Sequence, residues 1–324
     1  MTMRPNLAAP VAAIVALAMS SLVSAQDYPG GPVTLVVPFS PGGGTDYVGR
    51  VVAEELSAVL GESVVVENVP GAGTTIATEQ VANAEPDGLT ILINGSTLAF
   101  HPALFETLPY DVDADLRPVT FLTEQPYVLV VNNDFPAESI ADLVALAEAD
   151  TDAIPYGSAG VGSGMHISAE FLWSELGIDL LHIPYPGTSA AMNDLLAGEI
   201  SVLYTTASGG EAMISAGEVR ALGISSLERS DALPEVPTIA ETAIPDYEHT
   251  SWLALFVPAE TPDAVVAGIH AAVAEALSAP DVLQAFADRG LSVRSGSLEN
   301  VAVFFDREVE RWGGVIESAG IEPN

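Results

Sequence analysis

The sequence predicts an α/β protein in which mostly parallel sheets form two lobes with a ligand cleft between them. Apolar strand-like segments alternate with helix-like segments along the chain, a pattern typical of parallel sheets covered by helices. Two glycine-rich loops each follow a strand and precede a helix. Apolar segments at 126–131 and 252–257 bracket about 120 residues, which is enough to form a lobe.

The first elements show the pattern most clearly. A buried strand is expected over 32–39, followed by a glycine-rich loop and then by a helix over 46–60 that Gly61 ends. The same criteria predict the remaining elements in order. Strands are expected at 64–66, 89–93, 128–131, 154–156, 180–183, 201–205 and 220–224, and helices at 76–84, 140–149, 165–176, 189–197, near 211, at 262–278 and at 298–318.

The two apolar segments also suggest where the lobes divide. If the chain crosses between lobes at both of them, the first lobe contains residues 26–126 and 251–324, with the C-terminal helices returning to it. The second lobe then contains residues 127–250. Loops at the carboxyl ends of the strands converge on the cleft, which is the usual place for a site in such sheets.

Composition excludes several classes of function. The 324 residues include 44 Asp and Glu against nine basic residues, all Arg, for a net charge of −35 that repels nucleic acids and anionic lipids. The absence of Lys excludes P-loop, Schiff-base and pyridoxal chemistry. The absence of Cys excludes thiol nucleophiles, iron–sulfur clusters, disulfides and a lipid-modified cysteine anchor. The acidic residues are spread along the chain, which favours a salt-adapted, solvated surface over a cation site.

The N-terminus has the features of a secretory signal peptide. Arg4 precedes a small, apolar stretch from 7 to 23, and Val23-Ser24-Ala25 provides small residues for cleavage after Ala25. A single membrane anchor is the alternative, but Pro10 interrupts the stretch and its length falls short of the roughly 20 residues that a spanning helix needs. We therefore expect an exported protein whose remaining chain is not inserted in the membrane.

The first glycine-rich loop is Ser40-Pro41-Gly42-Gly43-Gly44-Thr45. Consecutive glycines let the backbone approach a ligand closely, and the following helix N-terminus offers free N–H groups at the positive end of its dipole. An anion can bind there without Lys or Arg. The alternative is a tight turn in which Thr45 or Asp46 only caps the helix.

The second glycine-rich loop runs from Gly157 to Gly164 and precedes another predicted helix. Its N–H groups and the hydroxyls of Ser158 and Ser163 provide the same kind of anion site. The glycine spacing does not match a dinucleotide-binding fingerprint. His166, in the first helical turn, is expected to be structural.

Catalysis and metal binding have little support in the sequence. A serine esterase with Ser158 or Ser163 as nucleophile and His166 as base is one alternative, yet the chain lacks a G-x-S-x-G elbow. No metal or other cofactor is expected, because the histidines lack metal-ligand spacing. The histidines are His101, His166, His182, His249 and His270.

The motifs together resemble the periplasmic solute-binding proteins of tripartite tricarboxylate transporters, the Bug family. The opening run extends from Tyr28-Pro29 through the first glycine-rich loop to Arg50. The further matches are Val66-Glu67-Asn68, Pro70-Gly71-Ala72-Gly73, Pro86-Asp87-Gly88, the loop 157–164 with His166, His182-Ile183-Pro184-Tyr185 with Gly187, Asp194-Leu195-Leu196-Ala197-Gly198, Val236-Pro237-Thr238 with Glu241, and Trp312. Each motif alone is weak, but the ordered set is specific and spans nearly the whole chain after the signal peptide.

The resemblance implies a two-lobed Venus-flytrap fold of the type II periplasmic-binding-protein class, without enzymatic activity. Such proteins close around a small carboxylate, such as citrate, a dicarboxylate, an acidic amino acid or an aromatic acid. The implied partners are a large and a small integral membrane subunit of a transporter. A protein of the same fold that serves a membrane sensor kinase is the alternative.

The resemblance also implies which residues bind the ligand. The two glycine-rich loops are expected to face each other across the cleft, with a rim from the second lobe and two further candidates. The expected ligand-binding residues are Phe39, Ser40, Gly42, Gly43, Thr45, Asp46, Ser96, Ser158, Gly160, Gly162, Ser163, Tyr185, Thr188, Ala190 and Thr205.

Two departures from the family pattern leave the identity of the ligand open. Pro186 stands where the family often has Lys, and Thr74-Thr75 replaces a usual glycine–asparagine pair. Neither loop contains an Arg, and the nearest is Arg50. A monocarboxylate or a small dicarboxylate is therefore favoured over citrate.

Overall fold

The computed structural model of the protein describes residues 28–149, 154–318 and 321. The predicted signal peptide and its cleavage site after Ala25 lie outside the described residues. The strands are β1 (Val33–Val37), β2 (Val64–Asn68), β3 (Thr90–Gly95), β4 (Leu116–Asn132), β5 (Pro155–Ser158), β6 (Leu181–Pro184), β7 (Val202–Thr206), β8 (Val219–Ile224), β9 (Thr250–Pro258) and β10 (Ser292–Val293).

Helices follow most of the strands, as the sequence predicts. They are α1 (Gly44–Leu60), α2 (Thr75–Ala82), α3 (Ser96–Leu104), α4 (Ile140–Ala149), α5 (Gly164–Leu176), α6 (Thr188–Ala197), α7 (Ala207–Ser215), α8 (Ile239–Thr242), α9 (Asp263–Leu277), α10 (Pro280–Ala287) and α11 (Leu298–Ser318), with a 3₁₀ turn at Ala72–Thr74. Helix α1 ends where Gly61 adopts a left-handed conformation and its N–H bonds to the Ser57 carbonyl.

The strands form two sheets that share β4. In the first sheet, β1 lies between β2 and β3 in parallel, and β9 joins β3 to the first part of β4 in antiparallel pairs. In the second sheet, β5 lies between β6 and β7 in parallel, and β7 and β8 pair antiparallel with the second part of β4. The change of partner along β4 falls between Pro126, opposite Thr250, and Tyr127, opposite Thr206.

Each sheet is covered by helices on both faces. In the first sheet, Leu35 packs on the side of α1 and α9, whereas its neighbour Val36 packs on the side of α2, α3 and α11. This alternation follows from the two-residue period of a strand. The core of the second sheet contains Tyr156, Trp173 and Tyr204.

The α/β fold class predicted from the sequence is confirmed, with a more detailed topology than the alternation suggested. The strand–helix–strand units are parallel, while the long strands β4 and β9 that join the two sheets run antiparallel to their neighbours. The predicted strand 128–131 and the apolar segment 252–257 are thus parts of the longer connecting strands β4 and β9. Helices α3 and α10 and the first part of β4 were not predicted.

No single helix among the described residues is long and apolar enough to cross a membrane. One pair, α9 with α10, meets the length and composition criteria together but is bent by 71° at the break between the two helices.

Candidate ligand-binding site

A cavity of about 570 Å³ opens between the two sheets at the ends of their parallel strands. Both glycine-rich loops contribute to its wall, as do the paired strands β4 and β9 that join the sheets. Its lining residues are Phe39, Ser40, Pro41, Gly42, Gly43, Gly44, Thr45, Asn94, Gly95, Ser96, Thr97, Thr123, Gln125, Tyr127, Ala159, Ser163, Gly164, Met165, Pro186, Gly187, Thr188, Ser189, Ala190, Thr206, Ser251, Trp252 and Leu253.

Five of the described helices begin at this cavity. The residues that precede the first turns of α1, α3, α5, α6 and α7 all line its wall, namely Gly43, Gly95, Ser163, Gly187 and Thr206. Among them only Ser163 caps its helix with a side chain, by accepting the His166 N–H. First-turn N–H groups have no partner within a helix, and the helix dipole adds positive potential at that end. The wall is therefore rich in backbone donors.

None of the described residues that line the cavity is charged. This is unusual in a chain in which about one residue in seven is acidic. The positive potential of the five helix ends is consequently opposed by no carboxylate in the wall. An anion of small size can be held here by N–H and hydroxyl groups alone.

The first glycine-rich loop is held in place by a buried carboxylate beneath it. Asp46 accepts the Gly42 N–H at 2.8 Å, two bonds from Arg50 at 2.9 and 3.0 Å, and the Asn68 amide at 2.8 Å. Burial alone raises the pKa of Asp46, but these hydrogen bonds outweigh it and hold the pKa below its usual value. The helix cap itself is Gly43, so Asp46 reaches back over the first turn to fix the loop.

The second glycine-rich loop is held by two stacked histidines. Ser158 Oγ lies 2.7 Å from His182 Nε2 and also accepts the Gly160 N–H at 3.1 Å. His166 Nδ1 accepts the Gly162 N–H at 3.2 Å, and its ring stacks on that of His182 at 4.0 Å between centroids. His166 thus has a structural role, as expected from the sequence.

Both stacked rings are neutral near pH 7. Burial and then the neighbouring His182 lower the pKa of His166 to about 3, and burial lowers the pKa of His182 to about 4. Since Nδ1 of His166 accepts a hydrogen bond, its proton is on Nε2. A neutral His166 keeps Nδ1 free to accept the Gly162 N–H, a bond that helps to hold the second glycine-rich loop.

The geometry does not favour the esterase alternative. The Ser163 hydroxyl accepts a backbone N–H of its own helix, and Ser158, which pairs with His182 rather than with His166, is fully buried and does not line the cavity. A nucleophile must reach its substrate, and Ser158 has no access to one.

The structure brings most of the predicted ligand-binding residues to the cavity. Nine of the fifteen line it, namely Phe39, Ser40, Gly42, Gly43, Thr45, Ser96, Ser163, Thr188 and Ala190. Gly160 lines an adjoining cavity of about 420 Å³ toward the 3₁₀ turn.

Five other predicted residues do not line the cavity. Asp46 and Ser158 support the loops as described above, and the Gly162 N–H is bound to His166. The Tyr185 N–H bonds to the Ser158 carbonyl, and the Thr205 side chain is fully buried beside Met165.

Sequence reasoning missed the floor of the cavity. Thr123 and Gln125 on β4 and Ser251 and Leu253 on β9 face it from neighbouring strands. No local motif marks these residues, because the two strands meet only in the folded chain. Asn94 also lines the cavity, but its side-chain oxygen accepts the Gly95 N–H, and its amide nitrogen donates to Thr74 in the 3₁₀ turn and to Thr78 in α2.

No cluster of three or more potential metal ligands occurs among the residues that the structure describes.

Comparison with known proteins places the chain among solute-binding proteins. Residues 48–321 match the family model described as the tripartite tricarboxylate transporter family receptor. A protein of Pseudomonas sp., described as a UPF0065 protein in the tcbD-tcbE intergenic region, is 38% identical over 97% of this chain and 95% of its own length. Protein BugT of Bordetella pertussis is 34% identical over 95% of each chain.

Solved structures show the same fold. The periplasmic binding protein BugD superposes with a TM-score of 0.85 and 33% identity, covering 92% of this chain and all of BugD. Rpa4515 of R. palustris, with adipate, gives a TM-score of 0.86 at 32% identity, covering 92% of this chain and 100% of that one. MatC from Rhodopseudomonas palustris, with bound malate, gives 0.83 at 33% identity, covering 89% of this chain and 100% of that one.

Proposed function

The chain belongs to the tripartite tricarboxylate transporter receptor family, and from this premise we propose that it captures a small carboxylate for a tripartite tricarboxylate-type transporter. It is a periplasmic solute-binding protein and not an enzyme. Related proteins have been solved with adipate and with malate, both carboxylates. The large and small membrane subunits of the transporter are the partners in this proposal.

The observation that carries the proposal is that, in the described part of the chain, five helix N-termini converge on a cavity lined by no charged side chain. A carboxylate needs several donors and a positive potential, and the five first turns supply both. A cationic ligand would find no carboxylate in the wall. A purely apolar ligand would leave the backbone donors and the buried hydroxyls without partners, at a cost in free energy.

Capture follows from the two-lobed arrangement. In this proposal the first lobe contains residues 26–126 and 251–324, and the second lobe contains residues 127–250. The change of pairing partner between Pro126 and Tyr127 supports that boundary. A ligand that bonds to the α1 loop and to the α5 loop at once stabilises the closed state by its differential affinity.

The residues proposed to contact the ligand are those of the two loops and the rim that line the cavity. Asp46, Ser158 and Gly162 act indirectly, since their polar atoms are already bound to neighbouring parts of the loops. Export, with removal of residues 1–25, belongs to the same proposal. Mass spectrometry of the protein from a periplasmic extract should therefore give a chain that begins at Gln26.

A thermal-shift screen of the purified chain tests the binding proposal. The panel contains mono-, di- and tricarboxylates, and a ligand that binds only the native state raises the melting temperature with its concentration. Gly43→Val should abolish the shift, because its side chain would stand before the N-terminus of α1. The backbone there has φ −82°, which a residue other than glycine adopts, and a Cβ would meet only the Ser40 carbonyl, at 3.8 Å.

Leu283→Ala, on the exposed face of α10, is the control and should retain the shift. Absence of a shift with every member of the panel, after unfolding and refolding to remove any ligand carried through purification, would overturn the proposal.

A further inference from the structure

We propose that Gln125 is the specificity-determining residue of the site, and that its amide selects ligands with a second carboxylate at the floor of the cavity. The inference rests on the proposed function, since it concerns the distal end of the same ligand. It is supported by the hydrogen bonding of the cavity floor, which consists of Thr123, Gln125, Ser251 and Leu253.

The floor is built by the antiparallel pairing of β4 with β9. Thr123 lies opposite Leu253 and Gln125 opposite Ser251, and residues two apart on a strand share one face. These four side chains therefore line the cavity together. Glu124, between Thr123 and Gln125, points to the other face and pairs there with Arg294 at 3.1 Å, so the one carboxylate of this stretch is kept away from the ligand.

The orientation of the Gln125 amide is fixed by its chemistry. Its Oε1 accepts the backbone N–H of Ser208, in the first turn of α7, at 3.1 Å. A backbone N–H cannot bond to the NH₂ end of the amide, so the assignment of oxygen and nitrogen is not ambiguous. Oε1 must face α7, and Nε2 is left as a donor.

This donor has no partner among the residues that the structure describes. Gln125 is only 8% exposed, lines the cavity, and has no acceptor for Nε2 in the described part of the chain. Thr123, which is 1% exposed on the same face, also has no hydrogen-bond partner for its hydroxyl among the described residues. Both donors face the cavity, so a ligand that displaces water from the floor must supply an acceptor in its place.

The acceptor that fits best is an anionic oxygen. Gln125 and Thr123 point two donors at the same space, and the N-termini of α3 and α7 begin at the cavity through Gly95 and Thr206. The carboxylate at one end of the ligand is assigned to the glycine-rich loops. A second carboxylate at the other end satisfies the floor, whereas a methyl group leaves both donors without partners.

Isothermal titration of matched ligand pairs tests the inference. The pairs are adipate with hexanoate and succinate with butyrate, in which a terminal methyl group replaces one carboxylate. The native chain should bind at least one dicarboxylate at least about tenfold more tightly than its partner, as expected for the loss of a charged hydrogen-bonding group.

Two substitutions separate the donor from the rest of the side chain. Gln125→Glu keeps an acceptor for the Ser208 N–H but removes the donor, and at pH 8 it adds a negative charge that repels a second carboxylate. Gln125→Met keeps the length of the side chain and removes both groups. Each should reduce the preference for the dicarboxylate at least about tenfold, with the greater loss in Gln125→Glu. Gln125→Met should change binding of the monocarboxylate little, whereas the added charge of Gln125→Glu should weaken it too, but by less than it weakens the dicarboxylate.

Gln80→Glu, an exposed position on α2, is the matched control for the added charge and should retain the preference. Thr123→Val, nearly isosteric, should reduce the preference in the same direction and so tests the floor if the Gln125 variants do not fold. Equal binding of both members of each pair by the native chain, or an equal loss of both in the variants, would overturn the inference while leaving carboxylate capture intact. Failure of every carboxylate to bind the native chain would overturn the proposed function itself.

Discussion

At the scale of single residues, Asp46 shows how an acidic side chain can serve an anion site. It lies in the first turn of α1, next to a cavity that we assign to a carboxylate, yet its charge is directed away from the cavity. Its two oxygens are bound by the Gly42 N–H, the Arg50 guanidinium and the Asn68 amide. The carboxylate thereby fixes the glycine-rich loop in the form that lines the cavity.

Replacement of Asp46 by Asn should weaken ligand binding more than it weakens the fold. The neutral amide cannot accept all of these bonds, so Gly42 and Arg50 lose charge-assisted partners, and we expect a loss of about 1–3 kcal/mol in binding free energy. Titration calorimetry with the carboxylate that gives the largest thermal shift measures it.

Asp142→Asn is the matched control for this prediction. Asp142 lies in the first turn of α4 and also accepts a backbone N–H four residues earlier, from Glu138 at 3.1 Å, but far from the cavity. Unchanged affinity in both variants would mean that the loop keeps its shape without the buried carboxylate.

At the scale of secondary-structure elements, the site depends on how closely β3 and β9 approach each other. A Cβ at Gly95 would lie 1.9 Å from the carbonyl oxygen of Trp252, so the backbone would have to move. Gly95 is also the residue that precedes α3, and its strand position lies opposite Leu253 on the cavity floor. The pairing of β3 with β9 thus sets the position of the N-terminus of α3 and of part of the cavity floor.

Gly95→Ala should therefore destabilise the protein and weaken binding together. Overpacking of this kind costs about 1–3 kcal/mol, and more where the neighbour is backbone. Urea denaturation of Gly95→Ala and of Gly43→Ala gives the comparison, since a Cβ at Gly43 meets nothing closer than 3.8 Å. Equal stability of both variants would contradict the prediction.

The elements that the sequence predicted are those with local signals. The two glycine-rich loops and their helices were placed within a few residues, because glycine clusters and helical periodicity lie in short stretches of chain. Helix α3 was missed because nearly all of its residues are buried, so no polar face alternates with an apolar one, and Pro102 lies inside it.

The cavity floor was missed for a different reason. Thr123 and Gln125 meet Ser251 and Leu253 only through the pairing of β4 with β9, across more than a hundred residues of sequence. Single polar residues in an apolar strand carry no local mark of a site. Whether the fifteen predicted residues contact the ligand stays a prediction, although nine of them line the cavity.

At the scale of the whole molecule, three buried histidines and the partly buried His182 couple the fold to pH. Burial lowers the pKa of His101 and His182 to about 4. Burial also lowers the pKa of His166 and His249 to about 3, with a smaller lowering from His182 on His166 and from the charge of Arg311 on His249. The unfolded chain, with histidine pKa values near 6.5, binds more protons below that pH. The contribution of these histidines to the free energy of unfolding is therefore fully present above about pH 6.5 and is lost as the pH drops toward 4.

Urea denaturation at pH 7.5 and pH 5.5 should show the difference. Each of the three buried histidines lowers the free energy of unfolding by about 1 kcal/mol over this interval, since one pKa unit corresponds to about 1.4 kcal/mol. The partly exposed His182 contributes less. Most carboxylates are still ionised at pH 5.5, so relief of their mutual repulsion offsets little of the loss. His101→Gln should reduce the pH slope by about a quarter, whatever it does to the absolute stability. Equal stability at the two pH values would contradict the prediction.

The distribution of charge over the molecule sets the conditions for capture. Acidic residues are absent from 38–45, 157–165, 183–193 and 205–210, the segments that bring four of the helix ends to the cavity, although the chain carries a net charge of −35. An anionic ligand is thus repelled at long range and attracted at contact. The repulsion acts through solvent and fades over about 8 Å at physiological salt and about 3 Å at 1 M, whereas the contacts inside the cavity are screened much less.

This opposition predicts that salt accelerates capture. Stopped-flow association with a dicarboxylate should become faster between about 10 mM and 1 M NaCl, because the repulsion is screened over that range. The dependence should be about twice as steep for a dicarboxylate as for a monocarboxylate, since the long-range energy scales with the charge of the ligand. Chloride that competes for the helix ends would act in the opposite direction, so an observed acceleration cannot come from it. A rate that falls steadily as salt is added would show instead that the local field of the cavity, and not the net charge, governs the approach of the ligand.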